Sequence, residues 1–187
     1  MAVRPARRLF TVDEYHRMVD AGILGKDDRV ELLGGEIIAM TPIGPRHAFS
    51  VTQLARLLIE QLGSRAVVGV QNPITLDDLS EPQPDVSVAE PPTESYLSRH
   101  PGPDDLLLVV EVADSSVDTD RDAKIPRYVA TGLREVWFVD LELERVEVHR
   151  LSDESQSPRI VGRGERIAPE AFPEVLLSVD EVLGPRT

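Results

Sequence analysis

The 187-residue sequence contains no cysteine, which excludes disulfides, zinc–thiolate sites, iron–sulfur clusters and a cysteine nucleophile. Aromatic residues make up only 4% of it, so nothing supplies the aromatic sugar platform expected beside the two carboxylates of a glycosidase. Cationic residues are scarce: 20 Lys and Arg stand against 33 Asp and Glu, a formal charge of −13. That balance argues against a broad basic face that coats nucleic acid and leaves local phosphate contact open. No apolar run approaches the roughly 20 residues of a membrane span. The first ten residues carry Arg4, Arg7 and Arg8 but neither a long apolar stretch nor a small-residue cleavage site, so the expectation is a cytoplasmic protein without membrane contact.

What is present is ordinary for a globular chain: 41% hydrophobic and 28% charged residues, with 12 Gly and 15 Pro. The length suits one domain that buries on the order of 70% of its unfolded surface. Hydrophobic periods give an α/β (α+β) reading. Thr11-Val12-Asp13-Glu14 fits a capping box, opening a short helix to Met18 or Val19 that ends near Gly22. Residues 29–33 and 37–40 flank Gly34-Gly35, a pair suited to the positive φ angles of a tight turn, and predict a β-hairpin. From His47 to Leu62 the residues Val51, Leu54, Ala55, Leu58 and Leu62 recur at helical spacing, with Gly63 as the stop. Strands are predicted at 66–70, 85–89 and 106–112, the last so apolar that it reads as a central strand covered on both faces. Residues 90–105, with Pro91, Pro92, Pro101 and Pro103, read as a long irregular connection. A helix over 120–131 closed by Gly132 comes next, then strands at 135–140 and 145–151. Short strands around Ile160 and over 175–179 and a last helical turn at 180–183 complete the chain. Pro126 suits its helix only in the first turn, which would put Lys124 at the helix start.

Residues that conflict with their surroundings point to chemistry. Glu111 closes an apolar strand, where a carboxylate is costly unless it is paired or binds a cation. Asp85 opens another strand just after Gln83-Pro84. If the two strands are neighbours, both carboxylates lie at one edge and, with a backbone carbonyl, make a seat for Mg²⁺. Lys124 on the following helix would orient a water and offset charge growing on a phosphate, and Tyr128, four residues on, shares its face. Each has an ordinary alternative: a strand-start carboxylate, a buried partner of an arginine, a solvated helix lysine. Tyr128 and Trp137 read as core, and Arg4, Arg7 and Arg8 as a tail or a DNA contact.

The order of these elements and fragments resembles the PD-(D/E)xK nuclease superfamily, and within it the Uma-type group of restriction-endonuclease-like proteins, formerly a domain of unknown function. The residues that carry the likeness are Tyr15, Glu31-Leu32-Leu33-Gly34-Gly35-Glu36, His47, Gln83-Pro84-Asp85, Glu111-Val112-Ala113-Asp114-Ser115-Ser116, Asp120 with Lys124 and Tyr128, Gly132, and Glu135 with Trp137 and Asp140. They cover about residues 9–151 and leave 152–187 as an extension of a single domain over 1–187. The superfamily's Glu-x-Lys motif would place lysine at 113, where this chain has Ala113. In the Uma-type group the lysine is displaced to the next helix, here Lys124, whose long side chain can deliver its charge to the same spot.

The resemblance implies a restriction-endonuclease-like core, a mixed central β-sheet flanked by helices with an N-terminal helix and hairpin. It implies an endonuclease that hydrolyses phosphodiester bonds with Mg²⁺ or Mn²⁺, with DNA the favoured substrate and RNA left open, and with Asp85, Glu111 and Lys124 catalytic and Asp85, Glu111 and the Val112 carbonyl as metal ligands. His47, Glu31 and Gln83 are candidates for a phosphate contact or for support behind the ligands. His47 reads equally as a helix-start residue, and Glu31 and Glu36 as solvent-facing, Glu31 being the better candidate of the two. Duplex cleavage needs two cuts, so a homodimer is expected, joined through edge strands at 135–140 and 145–151 or through the C-terminal segment. Ala113 and the acidic balance keep a second reading open, a nuclease-fold module that binds nucleic acid or a partner with weak or no cleavage. The acidity predicts weak, metal-dependent engagement through a narrow cleft rather than tight coating.

Overall fold

Local sequence sets the first elements. Thr11 caps helix α1 (Val12–Asp20) reciprocally with Glu14: the Thr11 hydroxyl accepts the Glu14 N–H, and the Glu14 carboxylate accepts that of Thr11. Strands β1 (Val30–Leu33) and β2 (Glu36–Ala39) pair antiparallel with Leu33 opposite Glu36. Gly34 and Gly35 between them both hold positive φ, 60° and 77°, the two-residue turn that matches strand twist. The hairpin is a sheet of its own, and backbone bonds dock it, Gly35 N–H to the Leu79 carbonyl at 2.7 Å and Phe10 N–H to the Gly35 carbonyl at 2.8 Å. Helix α2 (Pro45–Leu62) begins two residues earlier than its apolar stripe suggests, because Pro45 fits the first turn, where an N–H has no helical partner.

The computed structural model describes residues 7–25, 27–114, 117–153 and 157–186, without the side chains of 117–122; Arg4, Ser115, Ser116 and the Asp120 side chain therefore lie outside it. Strands β3 (Val67–Val70), β4 (Val86–Ala89), β5 (Leu106–Ala113), β6 (Glu135–Asp140), β7 (Arg145–Arg150) and β8 (Arg159–Gly162) form one six-stranded sheet in that order. All neighbours are antiparallel except β5 and β6, which are parallel and are connected by helix α3 (Val117–Ala130). This is the expected mixed sheet flanked by helices. Every residue of β5 is buried. Leu108, Val110 and Val112 face Leu54 and Leu58 of α2, while Val109 and Ala113 face Ile125 and Tyr128 of α3. Strand alternation therefore puts Glu111 on the α3 side. The C-terminal strands β9 (Arg166–Ile167) and β10 (Leu177–Ser178) and helix α4 (Val179–Leu183) add Ile167, Leu177 and Val182 to the α2 side of the core. Glu135 clamps that segment, accepting from Trp137 Nε1 (2.9 Å), Arg150 Nε (2.8 Å) and the Glu170 N–H (2.6 Å). No helix among the described residues is long and apolar enough to cross a membrane.

Two expectations are corrected. Strands 135–140 and 145–151 are not edges: β6 and β7 each pair on both sides, and β3 and β8 are the outer strands. Their backbone groups are consumed within the sheet, so neither offers a free edge to a second copy. Helix α3 starts at Val117, so Pro126 lies in its interior and Lys124 two turns in. Pro126 sits on the exposed face, where water can satisfy the carbonyl that its missing N–H leaves over.

Gly35 and Gly132 have nearly equal positive φ, 77° and 79°, but a Cβ at Gly35 would lie 2.6 Å from the Leu9 Cβ, whereas one at Gly132 would meet nothing within 4 Å. Gly132→Ala is expected to cost about 1–2 kcal/mol of left-handed strain, and Gly35→Ala about 1–3 kcal/mol more through overpacking. Urea unfolding of both variants checks this; equal losses would contradict the docking of the hairpin.

Candidate active site

The register of β4 and β5 sets the site. Val86 lies opposite Val110, so Asp85, one residue before β4, falls level with Glu111. Asp85 Oδ2 accepts the Val112 N–H at 2.9 Å and lies 3.0 Å from His47 Nε2, while Oδ1 accepts from Gln71 Nε2 at 3.3 Å. A strand residue's carbonyl points to the same side as its N–H, so the Val112 carbonyl faces the Asp85 side as well. On the α3 side, Glu111 Oε1 accepts the Tyr128 hydroxyl at 2.6 Å and lies 3.3 Å from Lys124 Nζ. Lys124 Nζ is 3.0 Å from Glu31 Oε1, and Glu31 Oε2 accepts the Gln83 N–H at 3.0 Å. Asp85, Glu111, Val112, Lys124, His47, Glu31 and Gln83 thus all line one cleft of about 550 Å³. Glu31, Asp85, Glu111 and Lys124 are only 4%, 7%, 3% and 6% exposed.

Negative charge is in excess here. Lys124 is the one buried lysine or arginine among the described residues, against the buried carboxylates of Glu31, Asp85 and Glu111. Burial pushes the Glu111 carboxyl up to about 8; Lys124 and the Tyr128 hydroxyl oppose this, and the charges of Asp85 and Glu31 add to it. Burial and the same carboxylates push the Tyr128 hydroxyl well above its ordinary value, which keeps it a donor. Among the described residues no three Asp, Glu or His side chains gather into a metal-binding group. The donor set nevertheless fits a hard divalent cation of the Mg²⁺ type, which takes one or two carboxylates and keeps several waters. Asp85 and Glu111 supply the two, and a cation between them would offset the charge excess.

Several neighbours escaped the sequence reading. Tyr128 is buried as expected, yet its hydroxyl belongs to the site; its position four residues after Lys124 was the available signal. Gln71, at a positive φ of 51° just past β3, left no signal. Behind Glu31, the Glu81 carboxylate lies 2.6 Å from His16 Nε2 and accepts from the Thr75 hydroxyl at 3.1 Å. Glu36 stays outside, paired with Arg7 at 2.5 Å, and Arg8 pairs with Glu14 at 2.5 Å. The two described arginines of the N-terminal arm thus have acidic partners within the chain.

The chain belongs to the Uma2 family, whose model, described as "Putative restriction endonuclease", matches residues 12–180. Among solved structures it is similar to the crystal structure of a "putative nuclease belonging to DUF820" from Anabaena variabilis. The two are 16% identical with a TM-score of 0.72, over 93% of this chain and 97% of that one, which establishes a shared fold. No curated protein matches the chain.

Lys124→Met would leave the Glu31 carboxylate buried without its cation and would favour the protonated form of Glu111, whose carboxyl burial already pushes up to about 8. The expected loss is about 3 kcal/mol at neutral pH, whereas exposed Arg56, paired with Glu60 at 2.7 Å on the surface of α2, should cost under about 1 kcal/mol as Arg56→Met. Denaturant melts of both variants test this, and a Lys124→Met protein as stable as the parent would refute the charge balance described.

Proposed function

We propose that this Uma2-family chain is a divalent-metal-dependent endonuclease that hydrolyses phosphodiester bonds in DNA. The observation that carries the reading is the meeting of Asp85, Glu111 and Lys124 in one cleft from three separate segments, with Lys124 reaching Glu111 although position 113 is alanine. Asp85, Glu111 and the Val112 carbonyl would hold the ion. When bound, such an ion makes water a better nucleophile and offsets charge on the phosphate. The chain's own groups fix the remaining geometry. His47, Gln71 and the Val112 N–H hold the Asp85 carboxylate, and Tyr128 holds that of Glu111. Glu31, itself fixed by the Gln83 N–H, aims the Lys124 ammonium across the cleft. From there Lys124 can orient the attacking water or neutralise a phosphate oxygen as charge develops on it.

A second reading, a nuclease-fold binding module with little or no cleavage, is favoured by one feature: the Lys124 ammonium is already engaged by two carboxylates. Supercoiled plasmid incubated with the purified chain and Mg²⁺ or Mn²⁺ separates the two. Nicking is expected, stopped by EDTA and reduced about 100-fold or more in Asp85→Ala and Lys124→Ala. Nicking that survives Asp85→Ala or EDTA would refute the enzyme reading, and absence of nicking by the parent chain would support the module.

A further inference from the structure

The lining of the cleft has two chemically different parts. One carries Glu31, Asp85, Glu111 and Lys124. The other is the continuous run 38–44, which leads from β2 into α2 and lines the cleft with Ile38, Ala39, Met40, Thr41, Pro42, Ile43 and Gly44. No side chain of that run is charged, residues 41–43 are exposed, and Ile43 is 40% exposed. Cations near the mouth are mostly committed: Arg46 bonds Asp114 at 3.1 Å and the Leu141 carbonyl at 2.6 Å, and Lys124 stands between two carboxylates. Arg29 is the other arginine or lysine among the lining residues.

These features suit one form of nucleic acid better than another. A duplex turns phosphates and sugars outward, keeps its base faces stacked inside, and is bound chiefly by neutralising several phosphates at once. A recessed acidic floor and an apolar wall offer it little. An unpaired nucleotide presents a bare base face that apolar side chains can cover, and its strand is thin enough to enter a cleft. The volume of about 550 Å³ lies within the roughly 300–1,000 Å³ that accommodates one small organic molecule, which is the scale of a nucleotide and not of a double helix.

We propose that the cleft takes unpaired, single-stranded DNA, with the scissile phosphodiester at the wall of Asp85, Glu111 and Lys124 and a base against Ile38, Met40 and Ile43. This rests on the nuclease reading above. Duplex DNA then becomes a substrate only where it is frayed, bulged or flipped open, since otherwise the unstacking cost falls on the enzyme. Among the described lining residues there is no Phe, Tyr or Trp, and the one imidazole, His47, is turned to Asp85 at 3.0 Å, so the base contact is aliphatic and affinity comes from shape and apolar cover.

The test compares one labelled 30-nucleotide strand alone, annealed into a blunt duplex, and annealed with a central bulge, using the full chain. Binding is read by fluorescence anisotropy in Ca²⁺, which takes the same kind of oxygen ligands, and cutting is read in Mn²⁺. The single strand should bind about tenfold or more tightly than the duplex, with cuts in the bulged substrate confined to unpaired nucleotides. Ile43→Glu, at an exposed position where folding can be confirmed by melting, should weaken single-strand binding about fivefold or more by placing a charge against the base. Duplex bound or cut as well as single strand, or single-strand binding untouched by Ile43→Glu, would overturn the proposal. Selective single-strand binding without any cutting by the parent chain would sustain this assignment of the cleft and refute the nuclease reading alone.

Discussion

Three carboxylates, those of Glu31, Asp85 and Glu111, are buried around one cationic side chain, Lys124, which pairs with Glu31 and Glu111, and the rest of the molecule is arranged to hold that imbalance. A carboxylate removed from water is tolerated when donors surround it, and each of the three has them: two N–H groups and His47 at Asp85, Tyr128 and Lys124 at Glu111, Gln83 and Lys124 at Glu31. The donors limit the cost without cancelling it, as the upward displacement of the Glu111 carboxyl to about 8 indicates. A chain selected for stability alone would place apolar side chains there. Retaining the carboxylates makes sense if a cation and an anionic substrate complete the site.

The fold meets this constraint through β5. Being third of six strands and covered by α2 and α3, it excludes water from Glu111 and fixes its side-chain direction. Asp85 precedes β4 at the point where the ladder with β5 ends, so its carboxylate can take the Val112 N–H that no strand partner claims there. Helix α3 follows directly from β5 and returns along the sheet, which brings Lys124 and Tyr128, one turn apart, over the same carboxylate. The hairpin supplies the remaining wall. Its positive-φ glycines allow Gly35 to lie against Leu9 and Phe10, and the bond from Gly35 N–H to Leu79 ties it to the segment that carries Gln83. Glu31 is thereby delivered to Lys124 from more than 90 residues away in sequence.

Much of this could be read from the residues alone. Asp85 and Glu111 were visible because each conflicts with its local environment, an acid beside a proline at a strand start and an acid in an apolar strand. Lys124 followed from its place on the next helix. The hairpin turn was visible because Gly34-Gly35 has a local conformational reason. Other features depend on contacts that no local pattern encodes. Burial of Glu31 requires the hairpin to dock on residues 79–83, and the role of Gln71 depends on where the chain turns after β3. The interior position of β7 follows from its pairing with β8, and that of β6 from its parallel pairing with β5. Pro126 misled the reading of α3, because local rules place proline in a first turn, and only the exposure of that face shows why the interior is tolerated. Tyr128 was recognised as core, but which atom its hydroxyl meets is decided by the register between α3 and β5.

The central claim, that Asp85 and Glu111 form one cation seat with Lys124 beside it, is tested most directly by diffraction. Crystals of the full chain soaked in Mn²⁺ and measured for anomalous scattering should show a peak within bonding distance of both carboxylates. The same soak of Asp85→Ala should show none there. Manganese bound elsewhere while this pair stays empty, or the two carboxylates found pointing to opposite faces of the sheet, would contradict the claim.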